Sequence, residues 1–121
     1  VCGLHMRGFQ LEKQMNECFA EFVREDKTAS KYKLIKFTDK IEKPGLIKVN
    51  NGGTSIDIEI WSMPNEMIGK FVQNVHHPLA IGEIELQDGS NIYGFVCEGY
   101  AAEFSEDITK EGGWKNYKRA Q

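Results

Sequence analysis

Proline and cysteine are scarce in this chain, and long apolar runs are absent. Three prolines and three cysteines stand among 121 residues. Cys2, Cys18 and Cys97 are scattered, odd in number and form no CxxC, so neither a zinc knuckle nor a redox pair is indicated. Reduced thiols in a cytoplasmic protein are the expectation. No uncharged apolar run approaches the ~18 residues of a membrane span, so no membrane is expected as a partner. No basic-then-apolar leader opens the chain, which speaks against a retained signal peptide. GxSxG, Walker, HExxH and GxGxxG patterns are missing, as are repeats and low-complexity tracts. What remains is a sequence 40% hydrophobic and 11% aromatic, which excludes disorder and fits one domain over residues 1–121.

The formal charge is −3. That opposes nucleic acid as a partner, because such binding rests on phosphate neutralisation. Charge is uneven: ten basic and seven acidic groups lie in residues 1–50, five and eleven in 51–121. Lys27, Lys31, Lys33, Lys36, Lys40, Lys43 and Lys48 carry most of the basic share. Such a stretch is more often a solvated face than a device for steering an anion or an acidic partner.

Periodicity places the elements. Val1–Gly3 reads as a strand end, followed by a loop through Gly8. Leu11, Met15, Cys18 and Phe22 form one stripe of an amphipathic helix that ends near Cys18 or Phe22, with Glu12, Lys13, Gln14 and Asn16 opposite. Strands are expected at 32–37, 46–49, 56–61, 84–86 and 92–97. The alternation in 32–37 is impure, as a bulge or burial on both faces would make it. Pro44-Gly45, Asn50–Gly53 and Asp88-Gly89 read as turns. Pro64 opens a second helix with Met67, Ile68, Phe71, Val72 and Val75 on its apolar face. Thr109 is a candidate N-cap for a last helix carrying Trp114 and Tyr117. Gly112-Gly113 lowers its propensity, and a close backbone contact would be the reason for them. The class is α+β: a mostly antiparallel, strongly bent sheet or small mixed barrel with two or three flanking helices.

Three constellations could carry chemistry. Gly3-Leu4-His5-Met6-Arg7-Gly8 follows a strand, and its glycines let the backbone turn tightly and present N–H groups to a carboxylate or carbonyl oxygen. His5 could move a proton near neutral pH and Arg7 could supply a fixed charge, although a lone histidine in a turn is more often structural. Glu98 directly follows an apolar strand and by parity shares a face with Ile92, Gly94 and Val96. A carboxylate there is either tied to a backbone amide or raised in pKa. His76-His77-Pro78 suggests metal, but neighbours in an extended segment point opposite ways, so neither metal nor cofactor is expected. Tyr32, Trp61 and Trp114 read first as core, and Asp57 with Glu59 as a solvated or helix-facing strand edge.

Read together, the segments resemble the C-terminal domain of allophanate hydrolase. The carriers are Val1-Cys2-Gly3-Leu4-His5-Met6-Arg7-Gly8 with Leu11, Thr28–Leu34, Lys43-Pro44-Gly45-Leu46, Glu59-Ile60-Trp61-Ser62-Met63-Pro64, Pro78-Leu79-Ala80-Ile81-Gly82, Gly94–Glu98, Asp107-Ile108-Thr109 and Gly112-Gly113-Trp114. The resemblance implies a γ-glutamylcyclotransferase-like fold. It further implies help in the decarboxylation of N-carboxyurea or a related carboxylated amide, downstream of an amidase this chain does not contain. On that reading Gly3, Leu4, Met6 and Arg7 bind substrate, the Leu4 and His5 N–H groups hold an oxyanion, and His5 protonates the leaving nitrogen. Glu98 orients His5 or accepts from substrate N–H groups, and Tyr32 and Trp61 wall the site. Two alternatives stand beside it: a non-catalytic interaction module for an amidase, and a cyclotransferase-type enzyme acting on a γ-glutamyl amine. The chain departs from the family's usual residues at Gln10 (commonly proline), Phe19 (commonly glycine) and Ala80 (commonly glycine).

Overall fold

A computed structural model describes residues 1–38 and 40–121. Within them, seven strands and three short α-helices follow the order α1 (Glu12–Glu17), β1 (Glu21–Lys27), β2 (Tyr32–Thr38), β3 (Glu42–Lys48), β4 (Asp57–Ser62), α2 (Ile68–Val72), β5 (Leu79–Glu85), β6 (Asn91–Cys97), β7 (Glu106–Asp107) and α3 (Trp114–Arg119). Every ladder is antiparallel. β1 pairs with β4, β2 lies between β3 and β7, and β5 pairs with β6. The α+β class stands, but in place of one bent sheet or a small mixed barrel the described strands form three separate antiparallel sheets. Isolated bridges tie Thr28 to Leu86, just beyond β1 and β5, and Tyr32 of β2 to Thr54, which precedes β4, in place of a continuous ring of ladders.

The main core is built from Leu4, Met6, Tyr32, Leu34, Leu46, Ile56, Ile58, Ile60, Ile84, Leu86, Ile108, Trp114 and Tyr117, joined by Cys2. β2 explains its own impure alternation. Tyr32 and Leu34 enter this core, while Ile35 turns to the other face and packs with Cys97 and Ala101. Burial on both faces, not a bulge, is therefore the cause. The bulge lies instead on β1, between Phe22 and Arg24.

Several local readings change. Pro44-Gly45 is not a turn: it lies inside β3, opposite Lys36 and Ile35. The strand accepts proline because β3 is an edge of its sheet. At Gly45, an added Cβ would come within 2.8 Å of Cys97 Sγ. The first helix stops at Glu17, and Phe19 takes a left-handed backbone, φ +57°. The second helix is broken into a 3-10 turn at Asn65–Met67 and the short α2. The last helix starts after the glycines, at Trp114. Gly113 does have the close contact: a Cβ there would sit 2.9 Å from Asp57 Cβ.

Candidate functional site

The Gly3–Gly8 loop is wound by its own backbone. Met6 N–H donates to Gly3 O at 2.9 Å, Phe9 N–H to Met6 O at 3.1 Å and Leu11 N–H to Leu4 O at 2.9 Å. Gly8 takes φ +85°, a region that favours glycine. Gly3 leaves no room for a side chain, since a Cβ would stand 2.3 Å from Pro44 Cγ. The N–H groups of Leu4 and His5 donate to no acceptor among the described residues. Both residues line a hollow of about 40 Å³, together with Gly3, Lys43, Asn74 and His76, and with Cys2, Leu11, Pro44, Val75, Leu79 and Phe95 completing the wall. That volume is enough for a few atoms, on the scale of one or two waters or a carboxylate group.

His5 is buried at 9% exposure. Its ring stacks on Phe95, centroids 4.8 Å apart, and meets Phe71 edge-on at 5.4 Å. Its Nε2 lies 2.6 Å from Gln14 Oε1 on α1. Burial pushes the imidazole below the usual histidine range. The Gln14 bond opposes this, and the Val1 ammonium and Lys43 reinforce it, so the net shift is downward. A neutral ring, two unclaimed amides and a lysine facing one hollow form an arrangement suited to a small anion.

The other expected site residues lie elsewhere. Arg7 is bound to Glu59, through Nε at 3.1 Å, and to Glu25 at 2.9 Å, with its guanidinium 3.5 Å from the centre of the Phe22 ring. Met6 is core. Tyr32 is 1% exposed, and its hydroxyl accepts the Glu85 N–H at 2.9 Å, so it ties two sheets together and does not wall the hollow. Trp61 lines an apolar groove of about 530 Å³ between β4 and the β5–β6 sheet, together with Phe71, Ile81, Ile84, Ile92 and Tyr93. Glu98 does not continue the buried face of β6. The strand ends at Cys97, and the Glu98 carboxylate is exposed and 3.7 Å from His77 Nδ1. Parity fails there because the chain turns directly into a 3-10 segment at Gly99.

Glu59 is the residue whose importance the sequence hid. It is 1% exposed and accepts from Arg7 N–H at 3.0 Å, Arg7 Nε at 3.1 Å, Lys115 Nζ at 3.0 Å and Trp61 Nε1 at 3.2 Å. Burial alone would raise its carboxyl, but the Arg7 N–H, Lys115, Trp61 and the Arg7 side chain together hold it below the usual carboxylate range. Gln14, Lys43, Asn74 and His76 join the site without a local signal: Lys43 and His76 belong to the Lys43–Leu46 and His76-His77-Pro78 segments, and Gln14 lies on the polar side of the first helix pattern. Among the described residues, no group of three His, Cys, Asp or Glu could hold a metal ion, and no helix is long and apolar enough to cross a membrane.

Residues 1–119 match the profile of the allophanate hydrolase C-terminal domain. A urea amidolyase of Lachancea kluyveri is 39% identical over 122 residues, 97% of this chain and 7% of that protein. The crystal structure of the K. lactis urea amidolyase superposes with a TM-score of 0.93 at 37% identity, over 98% of this chain and 8% of that one. A solved uropathogenic E. coli-specific protein gives 0.90 at 38% identity, over 97% of this chain and 91% of that chain. The chain thus spans less than a tenth of the length of the urea amidolyases it matches.

Proposed function

The chain belongs to the family of allophanate hydrolase C-terminal domains, and from that premise we propose that the hollow beside His5 receives a small N-carboxylated amide and assists its loss of carbon dioxide. The observation that carries this reading is the pairing of a buried imidazole with the unclaimed Leu4 and His5 amides around one cavity. The carboxylate seats against those N–H groups, with Lys43 as the facing cation. His5 passes a proton to the amide nitrogen as the C–N bond breaks; the bonding pair stays on nitrogen and carbon dioxide departs. N-carboxyurea would in this way give urea. The size of the hollow limits what it can enclose to the carboxylate end, with the remainder of the substrate at the mouth.

The test is carbon dioxide release from isotopically labelled N-carboxyurea, with wild type against His5→Ala and Lys43→Gln. Acceleration by wild type that is lost in His5→Ala, with the fold retained by circular dichroism, supports the reading. Equal rates with and without the protein overturn it.

A second reading has its own observation. Ile68, Val72, Ile81 and Tyr93 are 45%, 40%, 39% and 76% exposed around the apolar groove. A face of that kind suits an interaction module seated on an amidase. Comigration with an amidase in size-exclusion chromatography, abolished by Tyr93→Asp, would favour it.

A further inference from the structure

We propose that Gln14 is a positioning residue for His5, fixing the ring so that Nδ1 is the nitrogen that takes up and releases the proton. The proposal deepens the reading of the hollow as a carboxylate site and rests on it for the purpose of that proton.

Phe95 stacks on one face of the imidazole and Phe71 meets it in a T-shaped contact. Such contacts set the ring plane but do not distinguish the ring from its 180° flip, because carbon and nitrogen edges have the same shape. The contact that does distinguish them is polar: Nε2 lies 2.6 Å from Gln14 Oε1. An amide oxygen can only accept, so Nε2 carries the hydrogen. In the neutral ring the lone pair is then on Nδ1. Nδ1 has no hydrogen-bond partner among the described residues, and His5 is one of the residues lining the hollow.

The neutrality of the partner matters. Nε2–H donates to Gln14 both before and after Nδ1 is protonated, more strongly in the imidazolium, so the ring can cycle without losing its anchor. A carboxylate in that place would hold the imidazolium and slow its return to neutral. Among the described residues Lys43 on β3 is the charged side chain acting on the ring, while α1, α2 and β6 present Gln14, Phe71 and Phe95. Burial, with Lys43 beside it, favours the neutral ring until an anion enters. On entry the anion raises its proton affinity, Nδ1 takes a proton from solvent, and that proton goes to the leaving nitrogen. One proton is consumed for each carbon dioxide released, and no other reactant is needed.

The experiment is long-range ¹H–¹⁵N correlation spectroscopy of the full chain, as wild type, Gln14→Leu and Gln14→Glu, with sodium formate as the probe anion. Wild type is expected to show one neutral tautomer, with hydrogen on Nε2. Gln14→Leu should show a mixture of tautomers. Gln14→Glu should keep the Nε2–H tautomer while its His5 midpoint rises by about one pH unit or more. Should Gln14→Leu fail to fold, Gln14→Met repeats the test with a longer unbranched side chain. An Nδ1–H tautomer in wild type, or an unchanged single Nε2–H tautomer in the apolar variant, overturns the proposal. A correct tautomer pattern whose Nδ1, Leu4 and His5 signals ignore formate instead sinks the carboxylate reading while the positioning role stands.

Discussion

Arg7 and Glu59 meet twice: the Arg7 backbone N–H reaches one carboxylate oxygen at 3.0 Å and its Nε the other at 3.1 Å. A residue of the His5 loop is thereby fastened to the middle of β4. Replacing Glu59 removes the shared acceptor of Arg7, Lys115 and Trp61. Arg7 and Lys115 are partly exposed and can return to water, so the loss is smaller than for a wholly sealed pair. Glu59→Gln is expected to cost about 1.5–3 kcal/mol in urea unfolding, and Glu59→Ala about 3 kcal/mol or more. The carboxyl is held below its ordinary value in the folded chain. Its stabilisation is therefore complete above the unfolded carboxyl pKa of ~4.3 and is lost as pH falls through the folded value. Glu59→Gln should flatten that acid limb. An unchanged limb would mean that other carboxylates govern it.

His5 acts in a neighbouring pH window. The folded chain resists protonating it, whereas the unfolded chain takes a proton near pH ~6.5. Below that pH the unfolded state binds more protons, so stability declines as pH drops from about 7.5 towards the folded pKa. The midpoint of urea unfolding should therefore be lower at pH 5.5 than at pH 7.5, and His5→Gln should narrow the difference. Formate should oppose the decline in wild type, because an anion bound only to the folded state stabilises it.

Phe19 offers the reverse kind of change. It holds a left-handed backbone with its ring 69% exposed. An L-residue there costs roughly 1 kcal/mol, which glycine avoids. Phe19→Gly should raise the thermal midpoint by about 2–6 °C, with the loss of little buried area. A lower midpoint would show that the exposed ring makes a contact worth more than the backbone strain.

Strands carrying apolar residues in alternation or in an unbroken run were legible. The alternation Ile56-Asp57-Ile58-Glu59-Ile60 and the apolar 92–97 both fall on observed strands. β1 was not, because only Phe22 and Asp26 are even partly buried among its seven residues, leaving no apolar stripe to read. Alternation also misplaced Glu59. It correctly put Glu59 on the face opposite the isoleucines, but it could not reveal that Arg7 and Lys115, far off in sequence, would cover that face. The uneven charge of the two halves has a similar non-local answer. Lys27 meets Asp57, Lys31 and Lys48 meet Glu85, and Lys36 lies near Glu106, so the basic half is paired across to the acidic one. For the hollow, the glycine-flanked loop pointed to Gly3, Leu4 and His5, while the opposite wall comes from β3 and the segment after α2. Local spacing carries no information about that approach.

Gly3 and Pro44 fit together so closely that neither piece is portable alone. Anyone transplanting the histidine turn into a different scaffold would have to bring the proline-bearing ribbon as a matched counterpart, since a host lacking that ring would leave the cup without one side.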